Sequence, residues 1–354
     1  MDADGLAEWL EKRAKTGEFS GVVLVWKDGR PLFEHAVGLA HRGWRVPVRT
    51  DTRFQVASVT KMMTAAAVLG LVENGSLSLD TPLLEILPEA HRPVALESGH
   101  TIHHLLCHMS GLRNYHDDDD KTWSSFMSCW DRIPTYHLRE VADMLPLFRE
   151  LPATQPPGQG FQYGDANYIL IGLVIEAVTG RRYHDVVADT VLGPAGMADT
   201  SFTGLDFDPE RLAVGYFTSD RPAERGRSNI NAVPAMGMPD GGIITSARDL
   251  ARFFDALVAG DLVSPETLER MLVPRAPIND TDGLEAYGYG LELTVVEDRV
   301  TIFGHAGGDP GVSAMTSYFV DEATSVIVLC NQDRGSWAAS KQTAGSFGLP
   351  DPRE

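Results

Sequence analysis

The strand-like stretches of this 354-residue chain lie at its two ends, and that placement limits the folds open to it more than any single motif does. Ser20 to Trp26 and Pro31 to Val37 are rich in β-branched and aromatic residues and are joined by Lys27-Asp28-Gly29-Arg30. Asp-Gly between two apolar runs is the strongest short-range signal for a hairpin, because both turn residues tolerate positive φ. Alternating stretches return near the other end, at Gly288 to Val295, Arg299 to Phe303, Val312 to Val320 and Ser325 to Leu329. Between them, from Leu77 to about Pro239, the pattern is helical with long polar connections, and its best helix runs from Asn167 to Val178, stopped by Gly180. An antiparallel sheet assembled from both ends predicts an α+β fold, with helices flanking the sheet and a mostly helical lobe inserted into it. One catalytic unit over residues 1–354 is expected, with 1–57 plus 240–354 forming the sheet lobe and 58–239 the helical lobe.

At the N-terminus, Leu6, Trp9 and Leu10 share one face of a short helix that ends before Gly17, and 38–53 read as irregular. With 43% hydrophobic residues, the chain can bury a large core. Its net charge of −19 repels nucleic acids and anionic membranes at long range. The expected partner is therefore a small molecule. Cys107, Cys129 and Cys330 are odd in number and lack metal-ligand spacing, so they read as buried thiols. Residues 1–12 carry acids where a signal peptide has bases, and the longest apolar stretch, 168–178, contains Glu176. The chain reads as cytoplasmic.

Chemistry concentrates in Gln55-Val-Ala-Ser58-Val-Thr-Lys61, which leads into a helix pattern from Ser58 to about Asn74. Spacing of i, i+3 puts the Lys61 amine on the face that carries the Ser58 hydroxyl. A serine hydroxyl needs such help, since it is a weak nucleophile at neutral pH. Three other segments carry residue types that a Ser-Lys site requires. Tyr163 precedes a helix and is followed by Asp165 and Asn167, and a phenol beside a lysine cation has its pKa lowered and can act as a base. In His305-Ala306-Gly307-Gly308, glycines follow a strand, so the backbone can approach a substrate and offer an N–H that forms an oxyanion hole with that of Ser58. Finally, Pro239-Asp-Gly241-Gly242 reads as a tight turn running into a helix capped at Ser246.

Phe54-Gln-Val-Ala-Ser58-Val-Thr-Lys61, Leu105-Leu-Cys-His108-Met-Ser110-Gly111, Tyr163-Gly-Asp165, Gly241-Gly242 and His305-Ala-Gly307, in this order, resemble the serine hydrolases of the class C β-lactamase and penicillin-binding-protein family. The resemblance spans about residues 15–335. It implies a β-lactamase/DD-peptidase-like fold, with Ser58 as the acylated nucleophile, Lys61 as its activator and Tyr163 as the base that shuttles protons. It further implies an oxyanion hole from the N–H groups of Ser58 and Gly308, and substrate contacts from Asp165, Asn167, His305, Ala306 and Gly307.

Two departures from the family pattern matter. His305 stands where many penicillin-directed members have a lysine that contacts a substrate carboxylate, which points to the esterase and amidase branches. Asp165 replaces the usual asparagine. Ionised, it cannot donate to a substrate carbonyl, so it either buttresses Lys61 or binds a cationic substrate group, and a charge beside the lysine favours the buttress.

Several other features invite plainer readings. His103, His104 and His108 lack the context of a zinc site. His116 with Asp117 to Asp120 reads as a solvated loop, because consecutive carboxylates repel and lack calcium-loop spacing. No Gly-x-Ser-x-Gly elbow or phosphate loop occurs. Substrate selectivity is expected from residues 114–157, whose Tyr115, Trp123, Phe126, Trp130, Tyr136 and Phe148 can line a cleft or pack the lobe, with Tyr216 a further candidate. The expected activity is hydrolysis of a small ester or amide through an acyl-enzyme on Ser58, with neither metal nor cofactor. Acyl transfer from the same intermediate, DD-peptidase or β-lactamase action, and non-catalytic binding on the same fold are the alternatives.

Overall fold

In a computed structural model that describes residues 2–116, 122–218, 226–278 and 285–351, the expected sheet is formed by strands from both ends of the chain. The hairpin comprises β1 (Gly21–Lys27) and β2 (Arg30–Val37), with Asp28 and Gly29 both at positive φ in the turn. The C-terminal strands are β3 (Ala276–Pro277), β4 (Glu285–Tyr287), β5 (Glu292–Val296), β6 (Arg299–Asp309), β7 (Val312–Phe319) and β8 (Thr324–Cys330). They form one antiparallel sheet in the order β2-β1-β8-β7-β6-β5-β4-β3, and β1 pairs with β8 from Gly21↔Cys330 to Lys27↔Thr324. The α+β fold with an antiparallel sheet is thus the fold observed.

Both faces of this sheet are covered, which explains why β1 is apolar from Val22 to Trp26 and why β8, expected to alternate, is apolar without a break from Val326 to Leu329. Val23, Val25, Val326 and Val328 pack beneath α1 (Ala3–Thr16) and the C-terminal helix Ser336–Ser346. Val22, Leu24, Ile327 and Leu329 face the larger core, which is shared with the helices of the middle region. Two of those helices position the site: α2 (Thr60–Glu73) and α3 (Asp165–Thr179). Both are buried on all sides through most of their length, as their uniformly apolar sequences require. Among the described residues, no helix is long and apolar enough to cross a membrane.

A glycine inside α3 fixes the turn at Pro239-Asp240. A Cβ on Gly172 would lie 2.3 Å from Pro239 Cγ and 3.1 Å from Val141 Cγ1, and Thr64 of α2 donates its hydroxyl to the Pro239 carbonyl at 2.6 Å. Gly172→Ala therefore sets two effects against each other. Helix propensity favours alanine by about 1 kcal/mol, whereas overpacking a filled core costs about 1–3 kcal/mol. Packing is expected to win, because the neighbour is a rigid proline ring. Thermal unfolding should show a lower Tm, and a raised Tm would contradict this account of the turn.

One strand differs from expectation. The stretch His305 to Gly308 was expected to follow a strand, yet β6 runs through to Asp309 in register with β7. Two of its glycines serve close packing: a Cβ at Gly304 would meet the Thr316 carbonyl oxygen at 1.9 Å, and one at Gly307 the Val56 oxygen at 2.2 Å.

Candidate active site

Ser58 lies in a 3-10 turn, Ala57–Val59, that leads into α2. The residue before it, Ala57, has φ of 47°, a conformation that a side chain with Cβ adopts at a cost. The turn is pinned by its own carbonyl, as the Ala57 oxygen accepts from the Thr60 hydroxyl at 2.8 Å and from the Gly242 N–H at 3.3 Å. Gly241 and Gly242 thus act behind the Ser58 turn as well as in a turn of their own.

Lys61 is fully buried one helical turn on. Its Nζ donates to Ser58 Oγ at 2.9 Å, to Asp165 Oδ1 at 2.6 Å and to the main-chain oxygen of Asp240 at 2.6 Å. An ammonium has three N–H donors, and all three are used. Burial disfavours the charge on Lys61, but Asp165, Tyr163 and Asp240 outweigh it, and the pKa moves up. In Asp165, burial pushes the carboxyl up, while Lys61 and His116 more than reverse this and hold it below the ordinary range. The pair is therefore an ion pair at neutral pH, and Lys61 is a fixed cation with no lone pair to offer Ser58.

Tyr163 lies against both, with Lys61 Nζ 5.1 Å from its ring centre. The lysine was expected to lower the pKa of this phenol. Burial has the larger effect, and although Lys61 opposes it, Asp165 adds to it, so the phenol is pushed up and is neutral at rest. His108, buried at the start of this wall, sits 4.3 Å from Tyr163 between ring centres, and its Nδ1 accepts from the Gly164 N–H at 3.2 Å. Burial and then Lys61 keep His108 neutral.

The third wall is the open edge of β6. Pairing with β5 ends at Gly304↔Glu292, and the Ser58 turn fills the vacated edge against Gly307. N–H groups alternate sides along a strand. That of Ala306 points to this edge, donating to Glu292 Oε2 at 3.2 Å, so that of Gly308 points there too, toward Ser58. Gly308 and Ser58 line a common cleft with Tyr115, His116, Asp165, Asp240 and Asp309.

Other predicted site residues lie elsewhere. Asn167 is buried, accepting from Ser110 Oγ at 2.5 Å and donating to the Gly164 carbonyl at 3.1 Å, so it holds the start of α3 and does not face the cleft. His305 is 1% exposed behind Tyr163, with Nε2 2.9 Å from Tyr287 Oη. It is too deep to meet a substrate carboxylate. Ala306 and Gly307 meet protein groups, Glu292 and Val56 respectively. Tyr216 packs under Arg42 and accepts from the Arg42 N–H, and it does not line the Ser58 cleft. Of the aromatic segment, Tyr115, Phe126 and Trp130 reach the cleft, Phe148 is core and Tyr136 is exposed on the surface. The side chain of Trp123 and the run Asp117 to Asp120 with Lys121 lie outside the described residues.

His116, read as part of a solvated loop, is instead buried and stacked on Phe126 at 3.6 Å, with Nε2 3.9 Å from Asp165 Oδ2. Burial lowers its pKa to about 4, against the pull of Asp165. Sequence reasoning also passed over Asp240 and Asp309. Each stands beside a proline, where an acid reads as a turn former, and nothing local distinguishes it. The three cysteines are buried and free, and the described residues hold no cluster of three metal-ligating side chains.

A family model described as Beta-lactamase matches residues 6–345. Penicillin-binding protein 4* of Bacillus subtilis is 30% identical over 92% of this chain and 70% of its own length. Esterase EstB of Burkholderia gladioli is 31% identical over 87% of this chain and 84% of its own. A D-aminopeptidase of Cereibacter sphaeroides is 29% identical, and the chain spans 61% of that relative's length. Among solved structures, a penicillin-binding protein from Bacillus halodurans superposes with a TM-score of 0.84 at 32% identity, covering 96% of this chain and 98% of that one. Motif order, fold and whole-chain match agree, and the chain belongs to the beta-lactamase family.

Proposed function

We propose that the protein is a serine hydrolase that cleaves a small ester or amide through an acyl-enzyme on Ser58. The observation that carries this reading is the Ser58 hydroxyl 2.9 Å from an ammonium whose other two donors are occupied. With Lys61 donating to Oγ, the serine proton is directed away from the lysine, and Tyr163 is the neighbour able to take it. Because the phenol is neutral at rest, it acts as a relay. As Oγ attacks the carbonyl carbon, its proton passes to Tyr163 Oη while the phenol's own proton passes to the departing alcohol or amine. Lys61 stabilises the negative charge that builds between Oγ and Oη during this transfer. The N–H groups of Ser58 and Gly308 receive the carbonyl oxygen. Deacylation runs the relay in reverse, with water as the proton donor.

A relative named as an esterase and another named as a D-aminopeptidase are compatible with this chemistry. The absence of a lysine at position 305, and the depth of His305, weigh against a site built for a substrate carboxylate. The test is incubation with a fluorophosphonate probe, a short-chain p-nitrophenyl ester and a chromogenic cephalosporin, with Ser58→Ala as control. A covalent adduct on Ser58 by mass spectrometry and ester turnover are expected, both lost in Ser58→Ala. No adduct and no turnover in the wild-type protein would remove the enzyme reading, and fast cephalosporin turnover would redirect it to a β-lactamase.

A further inference from the structure

The sheet edge that faces Ser58 is finished by side chains. Pairing between β5 and β6 stops at Gly304↔Glu292, and beyond it the main-chain groups of Ala306 and Gly308 point to the open side. Buried main-chain groups left without partners are costly. At Ala306 both are met. Its N–H donates to Glu292 Oε2 at 3.2 Å, and its carbonyl accepts from His305 Nδ1 at 2.5 Å. The same imidazole accepts from the Tyr287 hydroxyl through Nε2 at 2.9 Å, and its Nδ1 lies 3.6 Å from Glu292 Oε1. The carboxylate on the first residue of β5 thus does for Ala306 what a further strand residue would have done. A strand could not continue there, because the Ser58 turn occupies that side, with the Val56 oxygen 2.2 Å from where a Gly307 Cβ would lie.

We propose that Glu292 is a positioning residue for the oxyanion hole: by holding the Ala306 N–H it fixes the path of β6 two residues before Gly308, and so aims the Gly308 N–H at the carbonyl oxygen of an ester or amide at Ser58. This rests on the reading of Ser58 as the acylated residue. Glu292 acts through the strand, since Gly308 lines the Ser58 cleft and Glu292 does not. Gly308 depends on such a hold. A Cβ there would meet nothing within 4 Å, so packing around its α-carbon does not set its position, and glycine has the freest backbone of any residue. On one side β6 is paired with β7 through to Asp309↔Val312. On the other, the Val56 oxygen limits how far Gly307 can approach the Ser58 turn, whereas the bond from Ala306 to Glu292 draws the strand toward that side. A push and a pull together fix the edge where either alone would leave it free to shift.

Variants at Glu292 test this in the full chain with a short-chain p-nitrophenyl ester. Glu292→Met keeps the length of the stem and removes the acceptor, whereas Glu292→Gln keeps an oxygen for the Ala306 N–H. An oxyanion donor acts on charge that develops in the transition state. In Glu292→Met, kcat is therefore expected to fall about tenfold or more with KM within about twofold of wild type, while Glu292→Gln stays within about threefold in kcat. Hydrogen exchange at the Ala306 amide needs no substrate, and it should quicken about tenfold or more in Glu292→Met but not in Glu292→Gln. If Glu292→Met does not fold by circular dichroism, Glu292→Asp, whose carboxylate stops one methylene short, reads the same losses. Unchanged kcat in a folded variant without the bond, a loss carried by KM alone, unchanged exchange at Ala306, or Glu292→Gln no better than Glu292→Met overturns the proposal. A wild-type protein with neither turnover nor a Ser58 adduct overturns the hydrolase reading instead, and the exchange rates still decide whether Glu292 holds the edge.

Discussion

Replacing Lys61 with methionine is expected to lower kcat/KM for a p-nitrophenyl ester by about 10³-fold, the range associated with loss of a group that assists proton transfer. The same change should destabilise the fold by about 3–5 kcal/mol, because it leaves a buried carboxylate without its counter-charge. Methionine matches the lysine stem in volume, so neither effect can be assigned to a cavity. A double variant separates them. In Lys61→Met/Asp165→Asn the orphaned charge is gone, and urea unfolding should recover most of the lost stability while activity stays low. If activity returned with stability, Lys61 would be a structural cation only. The pH dependence has a definite sign. The Asp165 carboxyl is held below its unfolded value of about 3.9, so the ion pair contributes fully above that pH and is lost as pH falls through the lower folded value. In Lys61→Met, burial without the lysine raises the Asp165 carboxyl above its unfolded value, so the stability gap should begin to narrow as pH falls toward about 4 and go on narrowing below it as the wild-type ion pair is lost.

Adding one methyl group at Gly307 is expected to cost about 10²-fold in kcat/KM, since a shift near 1 Å in a reacting array is enough for such a loss. The Cβ would sit 2.2 Å from the Val56 oxygen and 3.2 Å from Val59 Cγ2, one just before the Ser58 turn and the other at its end. The Val56 N–H is itself held by the Ile243 carbonyl at 3.2 Å, so the turn cannot retreat freely. The strand edge must move, and Gly308 with it. At Gly308 a Cβ meets nothing within 4 Å, so Gly308→Ala should fold like the wild type and any effect must arise within the cleft. Comparing Tm and kcat/KM of the two variants checks the assignment. A Tm for Gly307→Ala equal to that of Gly308→Ala would show that the edge is softer than the packing implies.

Much of this is legible in the sequence. Spacing marks Ser58 and Lys61, the family resemblance marks Tyr163 and Asp165, and Asp28-Gly29, Gly17 and Gly180 mark hairpin and helix ends, because turn and cap chemistry is written in adjacent residues. What failed was anything decided by depth. His305 reads as a substrate contact because the family resemblance sets it where a lysine meets substrate, yet a strand carries it under Tyr163. A phenol near a lysine reads as acidic, and only burial reverses the sign. Asn167 and Asp165 are two residues apart on one helix, but one faces the core and the other faces Lys61. Asp240 and Asp309 look like turn residues until the fold brings them to one cleft.

Pairing of Gly21 with Cys330 has a consequence for the protein's biogenesis. At translation rates of about 5–20 residues per second, the first hairpin waits roughly 15–60 s for the strand that completes its sheet. During that interval β1 presents an apolar, unpaired edge, which is the kind of surface that chaperones bind and that aggregation exploits. The ribosome must therefore release the chain as far as Cys330 before the scaffold under Ser58 can close, and newly made chains should be protease-sensitive until β8 emerges. A circular permutant that brings residues 324–330 directly ahead of residue 21 should shorten this vulnerable phase.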